Sequence, residues 1–299
     1  PFADGADMMG SIRTPSSFCS LFGFRPTPNL IPPAIGSKDL PALSSLGGIA
    51  RSTKCLSYLL DAQVGNFLNG KPKNQLFSKM INVPLQSEMR LAWLGDFNGA
   101  YTYEAGIKEL CEKYLETLKS PKVIIDVVNP TFPAEKIWES WTALRCKSIQ
   151  FDLQNHYLTS NQKKLLKPEI IWEIEQGFNL TNERLESAIF FREEWEAYLR
   201  SLFEVYDFLL LPSAQVFPFS AKQPYPTSIN GIKMDTYHRW MEVVIPASLA
   251  GLPTMSMPCG YSSKGLPLGV QLIGSVKSDV KVLKGSHWLE KIRSSTTEQ

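Results

Sequence analysis

Two short apolar segments separated by an amphipathic helix constrain the fold of this chain most. Residues 90–95 (Arg-Leu-Ala-Trp-Leu-Gly) and residues 123–128 are predicted strands, and residues 105–119 have the apolar spacing of a helix. This order of strand, helix and strand favours a parallel pair of strands. Residues 207–212 form an almost uniformly apolar run, which is typical of a strand covered on both faces. We therefore predict an α/β fold, with a mixed, mostly parallel twisted sheet flanked by helices.

The rest of the chain supports one such domain over residues 1–299. Residues 1–65 contain many prolines and are predicted to be mainly loops, with a short helix at 15–22 and a second helix that begins after Ser52. Residues 134–203 are predicted to be largely helical, with Thr181 at the start of the last helix. Residues 265–274 are predicted to form a further strand bounded by glycines.

Composition excludes several classes of protein. The chain has 31 Lys and Arg against 29 Asp and Glu, so its formal net charge of +2 gives no footprint for nucleic acid or lipid. No apolar run approaches the roughly 20 residues that a membrane-spanning helix needs. The five cysteines and three histidines are scattered, without a CxxC or HExxH pattern. We therefore expect no metal and no cofactor.

The segment from residue 5 to residue 15 carries the clearest chemical signal. It reads Gly-Ala-Asp-Met-Met-Gly-Ser-Ile-Arg-Thr-Pro, with Ser11 after Gly10 and before a short predicted helix. A tight turn there lets backbone N–H groups converge on one point, where the oxyanion of an acyl-transfer reaction can be stabilised. Asp7 and Arg13 flank the turn and are placed to pair. From spacing alone, an ordinary helix-capping loop is the favoured interpretation and a nucleophilic serine is the alternative.

Five blocks in the same order resemble the amidase signature family. Residues 5–15 resemble its hallmark G-[ST]-D-x-G-G-S-[IL]-R-x-P, and residues 23–27 (Gly-Phe-Arg-Pro-Thr) resemble the block that follows it. The other blocks are Gly-Ile-Ala-Arg-Ser at 48–52, Ala-Gly-Leu-Pro at 250–253 and Gly-Leu-Pro-Leu-Gly-Val-Gln-Leu-Ile-Gly at 265–274. Residues 207–218 and 235–247 resemble a bacterial-type branch of the family. The resemblance covers essentially the whole chain.

The resemblance implies hydrolysis of a carboxamide through an acyl-enzyme. Ser11 then holds the nucleophile position, and the backbone N–H groups of Met8, Met9, Gly10 and Ser11 correspond to the oxyanion hole. In the family, the serine proton passes to a second serine in a cis peptide and on to a buried neutral lysine. Asp7 and Arg13 are expected to give structural support.

The chain also departs from the family pattern. The family's lysine and cis-serine lie upstream of the hallmark, and no lysine of this chain, Lys38 and Lys54 included, occupies that motif. We therefore expect an N-terminally truncated chain, the C-terminal part of the family fold, that is inactive alone. Met9 replaces the first glycine of the hallmark pair, and Ala6 replaces a hydroxyl residue.

Candidate pocket residues follow the apolar strand at 207–212. Ligands gather beyond the carboxyl ends of strands in α/β sheets, so these side chains are expected to line the acyl pocket. Packing in the core is an equal alternative for the aromatic members. The candidates are Gln215, Phe217, Tyr237, His238 and Trp240.

Three functions stay open. The leading one is a hydrolase of small-molecule amides, without direct contact to nucleic acid. The second is the A subunit of a tRNA-dependent amidotransferase, which shares the fold and receives its tRNA function from partner subunits. The third is a catalytically inactive remnant. Cytoplasmic location is expected, and substrate identity and homo-oligomer formation are left open.

Overall fold

An eight-stranded sheet forms the centre of the computed structural model, which describes residues 1–32, 40–65, 67–68, 71–72, 76–83 and 88–297. Across the sheet, the strand order is β1, β3, β2, β11, β12, β8, β6 and β7, and two short hairpins pair β4 with β5 and β9 with β10. The strands are β1 (Phe2–Asp7), β2 (Phe22–Arg25), β3 (Ser45–Ala50), β4 (Phe67–Leu68), β5 (Lys71–Pro72), β6 (Met89–Trp93), β7 (Val123–Val127), β8 (Phe208–Pro212), β9 (Ser228–Ile229), β10 (Ile232–Lys233), β11 (Thr254–Tyr261) and β12 (Pro267–Ile273).

The sheet is mixed and flanked by helices, as predicted, but it is not mostly parallel. Five of its seven neighbouring pairs are antiparallel. Only β6 with β7 and β6 with β8 are parallel. The prediction extended one strand-helix-strand unit to the whole sheet. Most of the other neighbours are antiparallel partners, which do not need a helical crossover between them.

Ten α-helices and one 3₁₀ helix are described. The longest of them, α5 (Ala134–Leu158) and α8 (Asn182–Val205), pack against each other and belong to the predicted helical region. The helices are α1 (Arg13–Phe18), α2 (Thr53–Val64), α3 (Phe77–Met80), α4 (Ile107–Leu118), α5 (Ala134–Leu158), α6 (Ser160–Lys163), α7 (Pro168–Asn179), α8 (Asn182–Val205), the 3₁₀ helix Arg239–Val244, α9 (Ile245–Leu249) and α10 (Asp279–Thr297).

Consecutive residues of β12 show that helices cover both faces of the sheet. The Gln271 amide oxygen accepts a hydrogen bond from Arg13 of α1. The next residue, Leu272, faces Gly285 of α10, where an added Cβ would lie 3.5 Å from the leucine side chain. Because side chains alternate between the faces of a strand, α1 and α10 lie on opposite sides of the sheet.

Among the described residues of the first 65 are three strands, in a region where the sequence predicts mainly loops. The predicted helix at 15–22 is α1, which ends at Phe18, so that the chain enters β2 at Phe22. Glycines in these strands give them the appearance of loops. They are required because the strands approach closely: a Cβ on Gly47 would lie only 2.2 Å from the Phe24 carbonyl oxygen.

The helix starts predicted at Ser52 and Thr181 are confirmed, whereas the helix predicted to begin at Pro15 begins at Arg13. The Ser52 hydroxyl accepts a hydrogen bond from the Cys55 N–H at 3.2 Å, before α2. The Thr181 hydroxyl accepts one from the Arg184 N–H at 3.3 Å, before α8. These signals are local, which is why sequence alone finds them.

Strand β8 supplies a test of where the stability of the sheet resides. Leu210 is fully buried in its middle, so Leu210→Ala removes buried methyl groups and leaves a cavity. We expect the free energy of unfolding to fall by about 2–5 kcal/mol, measured by denaturant titration. Val127→Ala in the edge strand β7, where the side chain is 75% exposed, is the control and should change it by less than about 0.5 kcal/mol. Equal losses in the two variants would contradict this assignment of the core.

Candidate active site

Residues 8–12 form the turn between β1 and α1, and the carboxylate of Asp7 holds this turn from its buried side. It accepts hydrogen bonds from the backbone N–H groups of Gly10 at 2.8 Å, Ile12 at 3.2 Å and Arg13 at 3.2 Å. N–H groups at the start of a helix have no partner within the helix. A carboxylate at the end of β1 therefore satisfies the first turn of α1 and fixes the backbone between the two elements.

Arg13 fixes the same carboxylate to the rest of the protein. Its Nε and Nη2 donate to the two oxygens of Asp7 at 3.0 and 2.8 Å, which is the pairing expected from the sequence. Nη1 donates to the Val244 carbonyl at 2.8 Å and to the Gln271 amide oxygen at 2.7 Å, and Nη2 also donates to the Ser248 hydroxyl at 2.5 Å. All five donors of this fully buried guanidinium are thus used.

The electrostatics of the site keep Asp7 ionised. Burial by itself disfavours the charged carboxylate, but the charge and hydrogen bonds of Arg13 outweigh it, with a further contribution from Arg25. The Arg25 Nε lies 3.6 Å from the Asp7 carboxylate. The pKa of Asp7 is consequently well below its ordinary value.

Ser11 lies on the outer side of the turn and is exposed. Within the described residues, its hydroxyl makes no hydrogen bond. Gly10 before it has φ +85°, a conformation that side chains rarely adopt, and a Cβ there would lie 2.8 Å from the Thr14 hydroxyl. A glycine is therefore needed at position 10 to present Ser11 in this way.

The four backbone N–H groups expected to form an oxyanion hole are not equivalent. The Gly10 N–H donates to Asp7, so the expectation that it faces an oxyanion is not met in this arrangement. The N–H groups of Met8, Met9 and Ser11 make no hydrogen bond among the described residues. Those three remain candidates for binding a negatively charged oxygen.

The predicted pocket residues separate into two groups. Gln215 is buried: its amide oxygen accepts from the Val243 N–H at 3.1 Å, and its amide donates to the Thr102 carbonyl at 3.0 Å. Phe217 belongs to the main hydrophobic core, and Trp240 to a second buried cluster. All three side chains pack in the interior, so the core alternative describes the two aromatic ones, and Gln215 is a buried, hydrogen-bonded amide.

Tyr237 and His238 instead border an open cavity of about 420 Å³. The aromatic rings around it contact one another: Tyr225 and Tyr237 lie edge to face at 5.2 Å, and Tyr237 and His238 at 5.1 Å. The cavity is lined by Pro168, Glu169, Trp172, Tyr225, Thr227, Lys233, Met234, Asp235, Thr236, Tyr237 and His238.

The groups that hold Arg13 from β12, the 3₁₀ helix and α9 are missed by sequence reasoning. Gln271 has a detectable signal, since it is an amide side chain in an otherwise apolar strand. Its amide group donates to the carbonyls of Pro212 and Val243 at 2.9 and 3.2 Å. The Val244 carbonyl and the Ser248 hydroxyl carry no signal of this kind, because their role depends on how distant elements meet.

Three further observations concern the part of the chain that the structure describes. It contains no group of three His, Cys, Asp or Glu side chains arranged to hold a metal ion. Lys54 is exposed in the first turn of α2, and Lys38 lies outside the described residues. None of the described helices combines the length and the apolar character needed to cross a membrane.

Comparison with known proteins decides the family. The sequence model of the Amidase family matches residues 1–283. The chain belongs to the Amidase family. The eight-stranded mixed sheet agrees with this assignment, since solved amidase signature enzymes share it: a bacterial aryl acylamidase superimposes with a TM-score of 0.85 at 18% identity, over 99% of this chain and 63% of its own.

Curated relatives of this Amidase chain are longer than it is. The A subunit of the glutamyl-tRNA(Gln) amidotransferase of Thiobacillus denitrificans is 24% identical over 316 residues, covering 98% of this chain and 64% of the relative. Its counterpart in Bacillus licheniformis is 26% identical over 325 residues, covering 97% of this chain and 63% of the relative. The chain thus spans less than two thirds of the length of these relatives.

The ion pair at the site gives a stability prediction. Asp7→Asn leaves Arg13 and Arg25 without their buried counter-charge, so at pH 7 we expect the free energy of unfolding to fall by about 3–5 kcal/mol. The matched control is Asp4→Asn, at an exposed position of the same strand, which should change it by less than about 0.5 kcal/mol.

The same variant has a defined pH dependence. Because the folded-state pKa of Asp7 is lowered, the ion pair contributes fully above the unfolded-state value of about 3.9, and its contribution is lost as the pH falls toward the folded-state pKa. The stability difference between the parent protein and Asp7→Asn should therefore narrow below about pH 4. A difference that stays constant from pH 7 to pH 3 would contradict the assignment.

Proposed function

We propose that this protein is a hydrolase of small-molecule carboxamides in which Ser11 is the nucleophile. The observation that carries the proposal is the exposed Ser11 hydroxyl, on a turn whose backbone Asp7 and Arg13 hold from the buried side. Membership of the Amidase family supports the same reaction class. A nucleophile on a rigid turn needs little rearrangement before it attacks.

The reaction then proceeds in two displacements. The Ser11 oxygen bonds to the carbonyl carbon of the amide, and the N–H groups of Met8, Met9 and Ser11 donate to the oxyanion that forms. The C–N bond breaks, a proton is delivered to the leaving nitrogen, and an ester on Ser11 remains. Water attacks that ester, which releases the carboxylic acid and restores the hydroxyl.

The proton of Ser11 needs an acceptor. Asp7 is unsuited to this role, because both of its oxygens already accept hydrogen bonds from Arg13 and from the backbone of the turn. The family resemblance supplies a second serine and a neutral lysine, upstream of the hallmark. We therefore propose that residues 1–299 are the C-terminal part of one amidase domain and that they do not turn over amides by themselves.

A second function is favoured by the curated relatives. Several of them are A subunits of glutamyl-tRNA(Gln) amidotransferase. In that case, the amide cleaved at Ser11 is that of glutamine, the ammonia is passed on rather than lost, and partner subunits carry the tRNA. Glutaminase activity of the full gene product that appears only with partner subunits would identify this function, whereas hydrolysis of simple amides by the full gene product without partner subunits would identify the first.

The third alternative is that the protein is an inactive remnant, which would show neither amide hydrolysis nor glutaminase activity. It would be supported if the gene encodes no lysine and serine motif ahead of residue 1. Cytoplasmic location stays a prediction.

The full gene product provides the test of Ser11. Ser11→Ala should lower hydrolysis of an activated amide by at least about 1,000-fold, because the residual activity of a serine hydrolase without its nucleophile comes from binding and oxyanion contacts alone. Steady-state kinetics with an anilide substrate measure the loss.

Ser201→Ala, an exposed serine of α8, is the matched control and should leave the kinetics unchanged. Retention of more than a tenth of the activity in Ser11→Ala, with an intact fold by circular dichroism, would refute the nucleophile assignment.

A further inference from the structure

The side chain of Met8 connects the Ser11 turn to the helices beside it. Its sulfur lies 3.0 Å from Nη1 of Arg145, which extends from α5. A thioether is a weak acceptor, so this contact adds little to the stability of the fold. Its geometric consequence is larger, since it places a guanidinium directly against the first residue of the turn that ends in Ser11.

Arg145 is itself held in place by a buried carboxylate. Its Nε donates to Oε1 of Glu173 on α7 at 2.5 Å, and the Glu173 side chain is fully buried. Burial opposes ionisation of Glu173, but the contact with His238 and the charge of Arg145 outweigh it and lower the pKa of this carboxyl. The arginine therefore faces a carboxylate anion.

His238 completes the arrangement and reaches the open cavity. Its Nε2 lies 2.5 Å from the same Glu173 oxygen, and its ring is part of the cavity wall, beside Trp172 and Tyr237. We call Met8, Arg145, Glu173 and His238 the Met8–His238 row; Glu173 and His238 are buried, and Met8 and Arg145 are partly buried. It begins at the Ser11 turn and ends at the cavity.

The segment that follows His238 also returns to the Ser11 turn. His238 precedes the 3₁₀ helix that ends at Val244, and the Val244 carbonyl accepts a hydrogen bond from Arg13. The side chain of Val244 faces Gly10, where an added Cβ would lie 3.1 Å from it. The turn is thus contacted at Met8 by Arg145, and at Gly10 by Val244, which belongs to the helix that follows His238.

A contribution to folding stability does not by itself explain why this ion pair is present. Burying an ion pair costs about as much in desolvation as the attraction returns, and apolar side chains of similar volume often stabilise a protein equally well. Among the described residues, Oε2 of Glu173 has no hydrogen-bond partner, which makes the burial more costly still. A charged row held at this cost is better explained by the placement of Arg145.

We propose that Arg145, held by Glu173, which itself lies against His238, is a positioning residue for the Met8–Ser11 turn. The proposal rests on the proposed function, since it assumes that Ser11 is acylated. The row keeps Met8 in place, and with it the N–H groups that face the oxyanion. It also connects the turn to a cavity wall, so that the geometry of Ser11 depends on side chains of α5, α7 and the loop before the 3₁₀ helix.

The test is a double-mutant cycle in the full gene product. The variants are Met8→Ala, Arg145→Met and their combination, and the measurements are kcat and KM for an activated amide together with the melting temperature. Each single variant should lower kcat about 10- to 100-fold, because small misplacements in an active site have effects of that size, and KM should change less than threefold. The combined variant should lose no more than the worse single variant, because both changes interrupt the same contact.

Two further variants keep the result interpretable. Arg145→Met with Glu173→Gln removes both buried charges together, so it should fold even if Arg145→Met leaves Glu173 unpaired and unfolds the protein. It should still show the lowered kcat. Lys147→Ala, a cation two residues further along α5, is the matched control and should leave kcat and KM unchanged.

Three outcomes would overturn the proposal. The first is an unchanged kcat in the paired Arg145→Met, Glu173→Gln variant. The second is that the losses of kcat caused by Met8→Ala and by Arg145→Met multiply in the combined variant. The third is that kcat falls only in variants whose melting temperature also falls, and to an extent that follows that fall. Failure of the proposed function is separate, because it appears as retention of more than a tenth of the activity in Ser11→Ala.

Discussion

Near the candidate site, one guanidinium joins three segments of the chain, namely the end of β1, residues 244–248 and β12. Arg13 binds the Asp7 carboxylate at the end of β1, the Val244 carbonyl, the Ser248 hydroxyl of α9 and the Gln271 amide of β12. A buried charge is tolerated only when it is paired and its donors are satisfied, and here all five donors are used. The relative placement of the sheet, α1 and α9 therefore depends on this one side chain.

The geometry of the candidate active site follows from the pairing of Arg13 with Asp7. Because Asp7 faces inward and accepts the backbone N–H groups of Gly10 and Ile12, the outer side of the turn is left to Ser11. The Asp7–Arg13 ion pair therefore lies on the buried side of the turn, and the Ser11 hydroxyl lies on the exposed side. Under the proposed function, residues 1–299 thus supply the nucleophile and oxyanion donors, while the base comes from sequence outside them.

Sequence reasoning succeeds where the signal is local. The strands near residues 90, 123, 208 and 267, the caps at Ser52 and Thr181 and the pairing of Asp7 with Arg13 all follow from neighbouring residues. It fails where long-range packing decides the outcome. Strands β1 to β3 contain glycines that look like loops until close strand contacts explain them, and Gln215, Phe217 and Trp240 turn out to be buried in packing contacts. Arg145 and Glu173 give no sequence signal, because their partners come from other elements.

The most direct test of the account is covalent trapping of the nucleophile. The full gene product is treated with a fluorophosphonate, which esterifies activated serines, and the labelled peptide is identified by mass spectrometry. We predict one adduct, on Ser11, that disappears in Ser11→Ala and whose formation parallels the loss of amide hydrolysis. An adduct on a different serine, or unimpaired hydrolysis by a protein fully labelled at Ser11, would contradict it.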